Sequence, residues 1–428
     1  MQEFLNSAEY AQQQDSKDPL AKYRDQFLFP TFTKDPVMYF TGNSLGLQPK
    51  STKAYIDKQL DEWHKFGVEG HFMADKPWFS FHEELGTKAA KVVGAKPSEV
   101  VITHSLTTNL HLLMVSFYRP EGKRTKILCE GKAFPSDQYA LETQVKFHGL
   151  STEEHLVEIF PREGEHLIRE EDILAKIEEL GDELALIMIG GMNYYTGQYF
   201  DLKAITEAGH SVGATVGFDL AHAAGNVEVK LNEWNIDFAA WCTYKYMNSS
   251  PGGVSGLFVH EKHHKNKGLH RFAGWWGHNK ERRFLMEPGF DPIESAEAWQ
   301  LSNAPILSMA AHLASLDLFE EIGMPALFAK RDKLTAYLEF IIRDISEKHK
   351  EKCTFEIITP TELHRRGAQL SILVHGRGKK MFDQLSEQGV VADWREPNVI
   401  RVAPAPMYNN YMDVYRFGQA LEKAILND

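Results

Sequence analysis

Between residues 85 and 260 the chain alternates two apolar patterns: segments with apolar residues three or four apart, and short unbroken apolar runs. The unbroken runs at 100–103, 126–129, 184–189, 214–218 and 237–242 predict strands. Because they do not alternate with polar residues, they predict a parallel sheet covered on both faces, a doubly wound α/β domain. Upstream, a polar helix-like start leads to a strand-like stretch at 37–40 and a turn-rich loop at 43–49. A helix then follows, with Ile56, Leu60 and Trp63 at helical spacing. After Pro305, helices are predicted at 306–321 and 324–348. Beyond them lie strands at 354–358 and 368–374, a helix at 379–387, strands at 390–394 and 399–402, and a helix at 411–426. The expected organisation is an arm over 1–48, a large α/β domain over 49–306 and a smaller α+β domain over 307–428.

Two charges break this apolar pattern. Asp219 ends the run at 214–218, and Lys245 follows the run at 237–242, 26 residues further on, a distance that suits one crossover between adjacent parallel strands. A carboxylate and an amine at neighbouring strand ends, before the Gly-rich turn Ser249-Ser250-Pro251-Gly252-Gly253, suit a Schiff-base lysine with an acid that protonates a pyridine nitrogen. The implied cofactor is pyridoxal 5′-phosphate. A buried Asp–Lys ion pair would leave the same trace. The readings separate on whether the chain also supplies a phosphate cup, a ring-stacking residue and a carboxylate anchor.

Candidates for all three are present. Thr103 to Asn109 joins a strand to a helix, and its hydroxyl residues fit either plain capping or a helix N-terminus open to phosphate. Phe134-Pro135-Ser136-Asp137 starts another helix, with Phe134 suited to stack on a pyridine ring and Asp137 to hydrogen-bond near it. His222 follows Asp219 by three residues, and Tyr244 beside Lys245 is a candidate proton carrier or phosphate contact, with burial as the rival reading. Trp275, in Gly274-Trp275-Trp276-Gly277-His278, and Asn303, in Leu301-Ser302-Asn303-Ala304-Pro305, offer donors for phosphate or for an aromatic substrate, or a packing surface. Arg401 lies inside an apolar strand, where it needs a partner: a substrate carboxylate, or an internal acid such as Asp393 or Glu396.

Composition narrows the field. The net charge of −12, with no basic cluster, argues against nucleic acid. Cys129, Cys242 and Cys353 are far apart and read as reduced thiols. No signal-like start or membrane-length apolar run is visible, so a cytoplasmic protein is expected. His260, His263 and His264 lack a supporting carboxylate or cysteine for a metal, so no metal is expected. Neither a dinucleotide fingerprint nor a phosphate-loop motif occurs.

Together these motifs resemble kynureninase, a family of fold-type I pyridoxal-phosphate enzymes in the aminotransferase class V-like superfamily. The resemblance runs from Tyr39 onward. It rests on Gly42-Asn43-Ser44-Leu45-Gly46, Phe134 to Asp137, Tyr194-Tyr195-Thr196-Gly197-Gln198, Gly217 to Ala223, Tyr244-Lys245-Tyr246, Gly274 to His278 and Arg401-Val402-Ala403-Pro404. It implies that Leu106, Thr107, Phe134, Pro135, Ser136, Asp137, Gly190, Asp219, His222 and Tyr244 contact the cofactor, that Lys245 binds it, and that Trp275 and Asn303 complete the site. It implies further that Arg401 takes the substrate carboxylate and that His71, Ser44, Trp276 and Asn303 lie near its aromatic end. Two positions depart: Gly190 stands where some relatives carry a hydroxyl, and Trp276 where others carry a smaller aromatic residue. The implied reaction is hydrolysis of L-kynurenine, or 3-hydroxykynurenine, to anthranilate or its 3-hydroxy form and L-alanine, in tryptophan catabolism or NAD biosynthesis. A homodimer with a shared site is implied as well. The alternatives are a cysteine desulfurase of the same fold, for which Cys353 is the only cysteine after the lysine, and a cofactor-binding regulator without turnover.

Overall fold

The computed structural model of the protein describes residues 4–33 and 36–427. Its contacts divide the chain into two units: Thr52–Tyr194 with Phe200–Asp317, and the described residues of Met1–Ser51 with Tyr195–Tyr199 and Leu318–Asp428.

The first unit is built on seven strands, Val100–Thr103 (β1), Lys126–Glu130 (β2), Leu156–Ile159 (β3), Leu184–Gly190 (β4), Thr215–Asp219 (β5), Phe238–Cys242 (β6) and Ser255–Val259 (β7). They pair in the order β1-β7-β6-β5-β4-β2-β3. The five strands expected from the apolar runs are all present and share one direction, while β7 runs antiparallel to both its neighbours. The apolar pattern did not single out β3 or β7. Edge strand β3 is only half-buried, and β7 opens with Ser255-Gly256 just after the Gly-rich turn, so it reads as loop. Its reversal has a consequence for the site. An antiparallel neighbour needs no crossover helix, so the chain after β6 turns straight back and leaves Lys245 on that turn, at the carboxyl end of the sheet.

Close approach across the sheet depends on glycines. A Cβ at Gly217 would lie 2.2 Å from the Phe238 ring, and one at Gly256 would lie 2.3 Å from the Trp241 indole. At the opposite end of the sheet, Asp237 accepts from His210 Nε2, His263 Nε2 and the Val216 backbone N–H, each at 2.8 Å, and pairs with Lys262. Burial works to raise its carboxyl, but His210 and His263 prevail and hold it well below the usual range. His264 Nε2 lies 2.9 Å from the Val259 carbonyl, so the His260 to His264 segment is part of this structural network.

Helix α1 (Thr52–Phe66) forms where expected, but its apolar stripe faces outward. Leu60 is 41% and Trp63 61% exposed, while Thr52, Gln59 and Glu62 are buried. Helical spacing located the helix correctly; which face meets the core was decided by the neighbouring elements.

The second unit has an antiparallel sheet of Thr354–Ile357 (β8), Leu370–His375 (β9), Asp393–Arg395 (β10) and Val399–Val402 (β11), in the order β8-β9-β11-β10. The single strand expected at 390–394 is two: Val390–Val391 pairs in parallel with Met38–Tyr39, and the chain then bends into β10. Residues of the long helix Met324–Lys348 and of Tyr411–Leu426 share a core that includes Leu334, Tyr337, Ile341, Val414 and Phe417, and Tyr10 and Ala11 join it. The Tyr195–Tyr199 segment is held by hydrogen bonds from Thr359 Oγ1 to Thr196 O and from Ser371 Oγ to Tyr195 O, both 2.6 Å. Gly197, at φ 77°, lies against Thr359 and Gln369, where a Cβ would be crowded. Among the described residues no helix is long and apolar enough to cross a membrane.

Replacing Gly217 by Ala puts a methyl into the Phe238 ring, so the variant is expected to lose about 1–3 kcal/mol of stability. Urea unfolding checks this: the midpoint falls while the slope stays constant.

Candidate functional site

The carboxyl ends of β2, β4, β5 and β6 lie side by side, the usual ligand crevice of an open α/β sheet. Gly190 pairs with Asp219, and Asp219 pairs with Ala240. Asp219 is 5% exposed and accepts the Ala221 N–H at 2.6 Å. Burial lifts its carboxyl above the usual range, while the Ala221 N–H, the Lys245 charge and a hydrogen bond with Asp137 pull it back. Asp137, in the first turn of helix α2 (Pro135–Phe147), is raised well above its usual value, first by burial and then by the charge of Asp219. Its Oδ1 is shut off from solvent without a hydrogen-bond partner among the described residues.

A third carboxyl, Glu130 at the end of β2, was not among the residues expected at the site. Burial first, then Asp219, push it up to about 8, against hydrogen bonds from Gly190 and Asn193. The signal was available, since Glu130 closes an apolar strand run just as Asp219 does.

Facing these acids is one amine. Lys245 Nζ lies 3.0 Å from His222 Nε2 and 5.8 Å from the centre of the Phe134 ring, which stands edge-on to Tyr194 at 5.3 Å. Phe134 sits at the N-cap of α2 and Pro135 at its first position, so the helix start itself places Phe134, Ser136 and Asp137. The Tyr244 hydroxyl contacts the Cys242 thiol, and burial raises its phenol above the ordinary range.

Leu106 and Thr107 open a helix, Leu106–Phe117, whose N-cap Ser105 makes no side-chain bond to the first-turn amides. Ser105 Oγ instead meets Thr108 Oγ1 at 2.9 Å, which leaves a helix N-terminus suited to an anion. The preceding turn is pinned by Asn109 Nδ2 donating to Thr103 O at 3.0 Å and by Leu301 N donating to His104 Nε2 at 3.3 Å.

Through Leu301 the turn is tied to the loop of Trp275, because Trp276 N donates to Leu301 O at 3.3 Å. Trp275 is 43% exposed, its indole N–H donates to Arg283 O at 3.1 Å, and Asn303 is exposed. Trp276 is buried, with Arg283 over its ring at 4.4 Å and Phe79 edge-on at 5.5 Å. Contacts from Phe79 to Phe72 and from Phe72 to His71 bring His71 into the same aromatic cluster.

Ser44 and Arg401 belong to the second unit. Arg401, on β11, is 1% exposed and opposite Asp393 on β10, and it pairs with that carboxylate, one of the two internal acids that the sequence offered. Ser44 Oγ also donates to Asp393 and lies 3.3 Å from Arg401 Nη2.

These residues fit pyridoxal phosphate. Three clustered carboxyls, two with orphaned buried oxygens, call for a cation such as a pyridinium nitrogen. An amine stands beside an aromatic face, and an open helix N-terminus suits a phosphate.

Comparisons with known proteins agree. A family model described as Kynureninase C-terminal domain matches residues 327–421. A kynureninase of Flavobacterium johnsoniae is 60% identical over 423 residues, 99% of either chain. One of Koribacter versatilis is 50% identical over 97% of either chain, and one of Nematostella vectensis is 47% identical over 98% of this chain and 94% of its own. Among solved structures, a C-DES mutant with glycine covalently linked to its PLP cofactor aligns with a TM-score of 0.77 at 16% identity, covering 93% of this chain and 99% of that one. A cysteine desulfurase of Thermococcus onnurineus gives 0.72 at 18%, covering 92% and 95%. The two structures share the fold alone, whereas the sequence relatives carry the family: with its amine and acids at the ends of the strands, this chain belongs to the kynureninase family.

Proposed function

We propose that the protein hydrolyses the Cβ–Cγ bond of L-kynurenine, or of its 3-hydroxy form, to an anthranilate and L-alanine, with pyridoxal phosphate as cofactor. The observation that carries this reading is Lys245 Nζ, 3.0 Å from His222 and flanked by Phe134, facing the Asp137–Asp219 acid pair. When bound, the cofactor supplies a protonated heterocycle that takes up electrons from the substrate's α-carbon.

Lys245 would hold the cofactor and, with the substrate amine bound in its stead, would take the α-proton and give a proton back to that carbon before alanine leaves. His222 Nε2 accepts a hydrogen bond from the amine and fixes where it points. Asp219 would hold the cofactor's ring nitrogen in its protonated form, and a cation there would favour the ionised carboxylate. The Leu106 and Thr107 amides receive the phosphate. Water adds to the γ-carbonyl, its hydroxyl stays on the acyl carbon, and the β-carbon takes up a proton as the bond breaks. Tyr244, whose burial keeps the phenol protonated, is the donor we assign to that step. Arg401 takes the substrate carboxylate, and its existing pair with Asp393 and Ser44 holds the guanidinium in a fixed direction before substrate arrives. To the aromatic end of the substrate we assign His71, Trp276, Ser44 and Asn303, and to the cofactor site Trp275 and Asn303.

The desulfurase alternative needs an exposed nucleophilic cysteine. Cys129, Cys242 and Cys353 are all buried, and the desulfurase resemblance is one of fold at 18% identity. We also propose a cytoplasmic homodimer. The outward apolar residues Leu60, Trp63, Val68, Phe72 and Met73 support a covered face, and three buried cysteines, none in a disulfide among the described residues, fit a reducing compartment.

In a kynurenine assay followed by anthranilate fluorescence, Lys245→Ala is expected to abolish turnover and the visible absorbance of the purified protein while circular dichroism stays native. Retained visible absorbance would overturn the assignment of the attachment point. Tyr244→Phe is expected to lower kcat by about 10²–10⁴-fold with cofactor content unchanged. Arg401→Leu should act mainly on KM, raising it by roughly 10–100-fold for the loss of a charged hydrogen bond.

A further inference from the structure

The chemistry above uses Asp219 and its partner Asp137 but leaves Glu130 without a task. Glu130 closes β2, the strand beside β4, whose last residue Gly190 pairs directly with Asp219. Gly190 has no side chain, and a Cβ there would lie 3.2 Å from Glu130 Oε1 and 3.4 Å from Oε2. The Glu130 carboxyl therefore covers the glycine, in the space between its own strand and Asp219.

This carboxyl is closed off from water. Glu130 is 3% exposed, its carboxyl is held by the Gly190 N–H and by Asn193 Nδ2, the latter on Oε1 at 3.4 Å, and Oε2 stays buried without a partner of its own among the described residues. On its outer side β3 presents Ile159, which is apolar. On its inner side the titratable groups are Asp219 on β5 and Asp137 on α2, with Lys245 and His222 beyond them. Two full negative charges so close together in an apolar crevice repel strongly, and burial first and Asp219 second push Glu130 up to about 8.

We propose that Glu130 is a positioning residue of the cofactor site: an acid lying over Gly190 that keeps its proton while Asp219 is charged, and so sets how much negative charge faces the ring nitrogen. The proposal rests on the reading of this crevice as a pyridoxal-phosphate pocket. It assigns Gly190 a role too, as the gap that admits the carboxyl.

The test uses the full-length protein stripped of cofactor, as parent, Glu130→Gln and Gly190→Ala. Gln keeps the size and neutrality of the protonated acid. Binding of pyridoxal phosphate, followed by visible absorbance, is measured from about pH 6.5 to about pH 9.5, on either side of an ordinary neutral range. A cation arriving beside an acid lowers its pKa, so binding tightens as that acid loses its proton. The parent is expected to gain about tenfold in affinity relative to Glu130→Gln across the range, the equivalent of a shift of one pKa unit.

Thermal unfolding of the stripped proteins is the second readout, and it needs no cofactor. The folded value of Glu130, about 8, lies above its ordinary 4.5, so the folded state binds the extra proton. The stability this gives is full below about 4.5 and is lost as pH rises toward 8, so the parent's melting temperature should fall across that window more than that of Glu130→Gln. Gly190→Ala, which crowds the carboxyl, should move the window. If Glu130→Gln fails to fold, this variant carries the test.

Parallel binding and melting curves for parent and Glu130→Gln, or a window unmoved in Gly190→Ala, would overturn the proposal. So would affinity that falls with pH relative to Glu130→Gln. A parent that bound no pyridoxal phosphate would fail the absorbance arm but not the melting arm, which separates failure of the pocket from failure of this inference.

Discussion

The site depends on the burial of negative charge at the ends of parallel strands. A carboxylate taken out of water is stable only with a cation or several donors beside it. Asp219 has the Ala221 N–H, the Lys245 ammonium and an acidic partner in Asp137, and together these do not fully offset its burial. The crevice is thus electrostatically incomplete in a way that a protonated heterocycle completes. The same imbalance that lifts Asp137 and Glu130 favours a ligand whose positive end lies at the strand termini and whose negative end lies at a helix N-terminus.

The rest of the first unit can be understood as support for that row of strand ends. The reversal of β7 removes a crossover and turns the chain sharply after β6, which leaves the lysine on a short connection rather than on a mobile loop. Gly217 and Gly256 let Phe238 and Trp241 press flat against neighbouring strands, so the register that sets Gly190, Asp219 and Ala240 in line cannot slip without steric conflict. The Asp237 network anchors the opposite end of the sheet with two imidazoles and an ammonium. In the second unit a similar economy places Arg401 opposite Asp393 across two antiparallel strands, so that a buried guanidinium is compensated within the protein itself.

Likeness of fold and likeness of family diverge here in an instructive way. The solved neighbours include a cysteine desulfurase and C-DES at 16–18% identity, and a fold is hospitable to many chemistries. What argues against a desulfurase that attacks through its own cysteine is local: each of the three thiols is buried, and burial drives the thiols of Cys129 and Cys242 away from the reactive thiolate. The family instead follows from 47–60% identity over nearly the whole chain.

The amino-acid sequence alone determined the five co-directional strands, the long helices, and the adjacency of Asp219 and Lys245. Each of these is written in local periodicity or in a charge that interrupts an apolar run, and both are read from neighbours in the chain. Only the tertiary structure decided the rest. It set β7 antiparallel, split the expected strand at 390–394 between two sheets, and turned the Leu60 and Trp63 stripe outward. It also leaned Glu130 over Gly190 and chose Asp393 rather than Glu396 for Arg401. Those outcomes turn on which surfaces meet across long sequence separations, and an acid's proton depends on the other charges gathered around it. Neither has a signature in any window of consecutive residues.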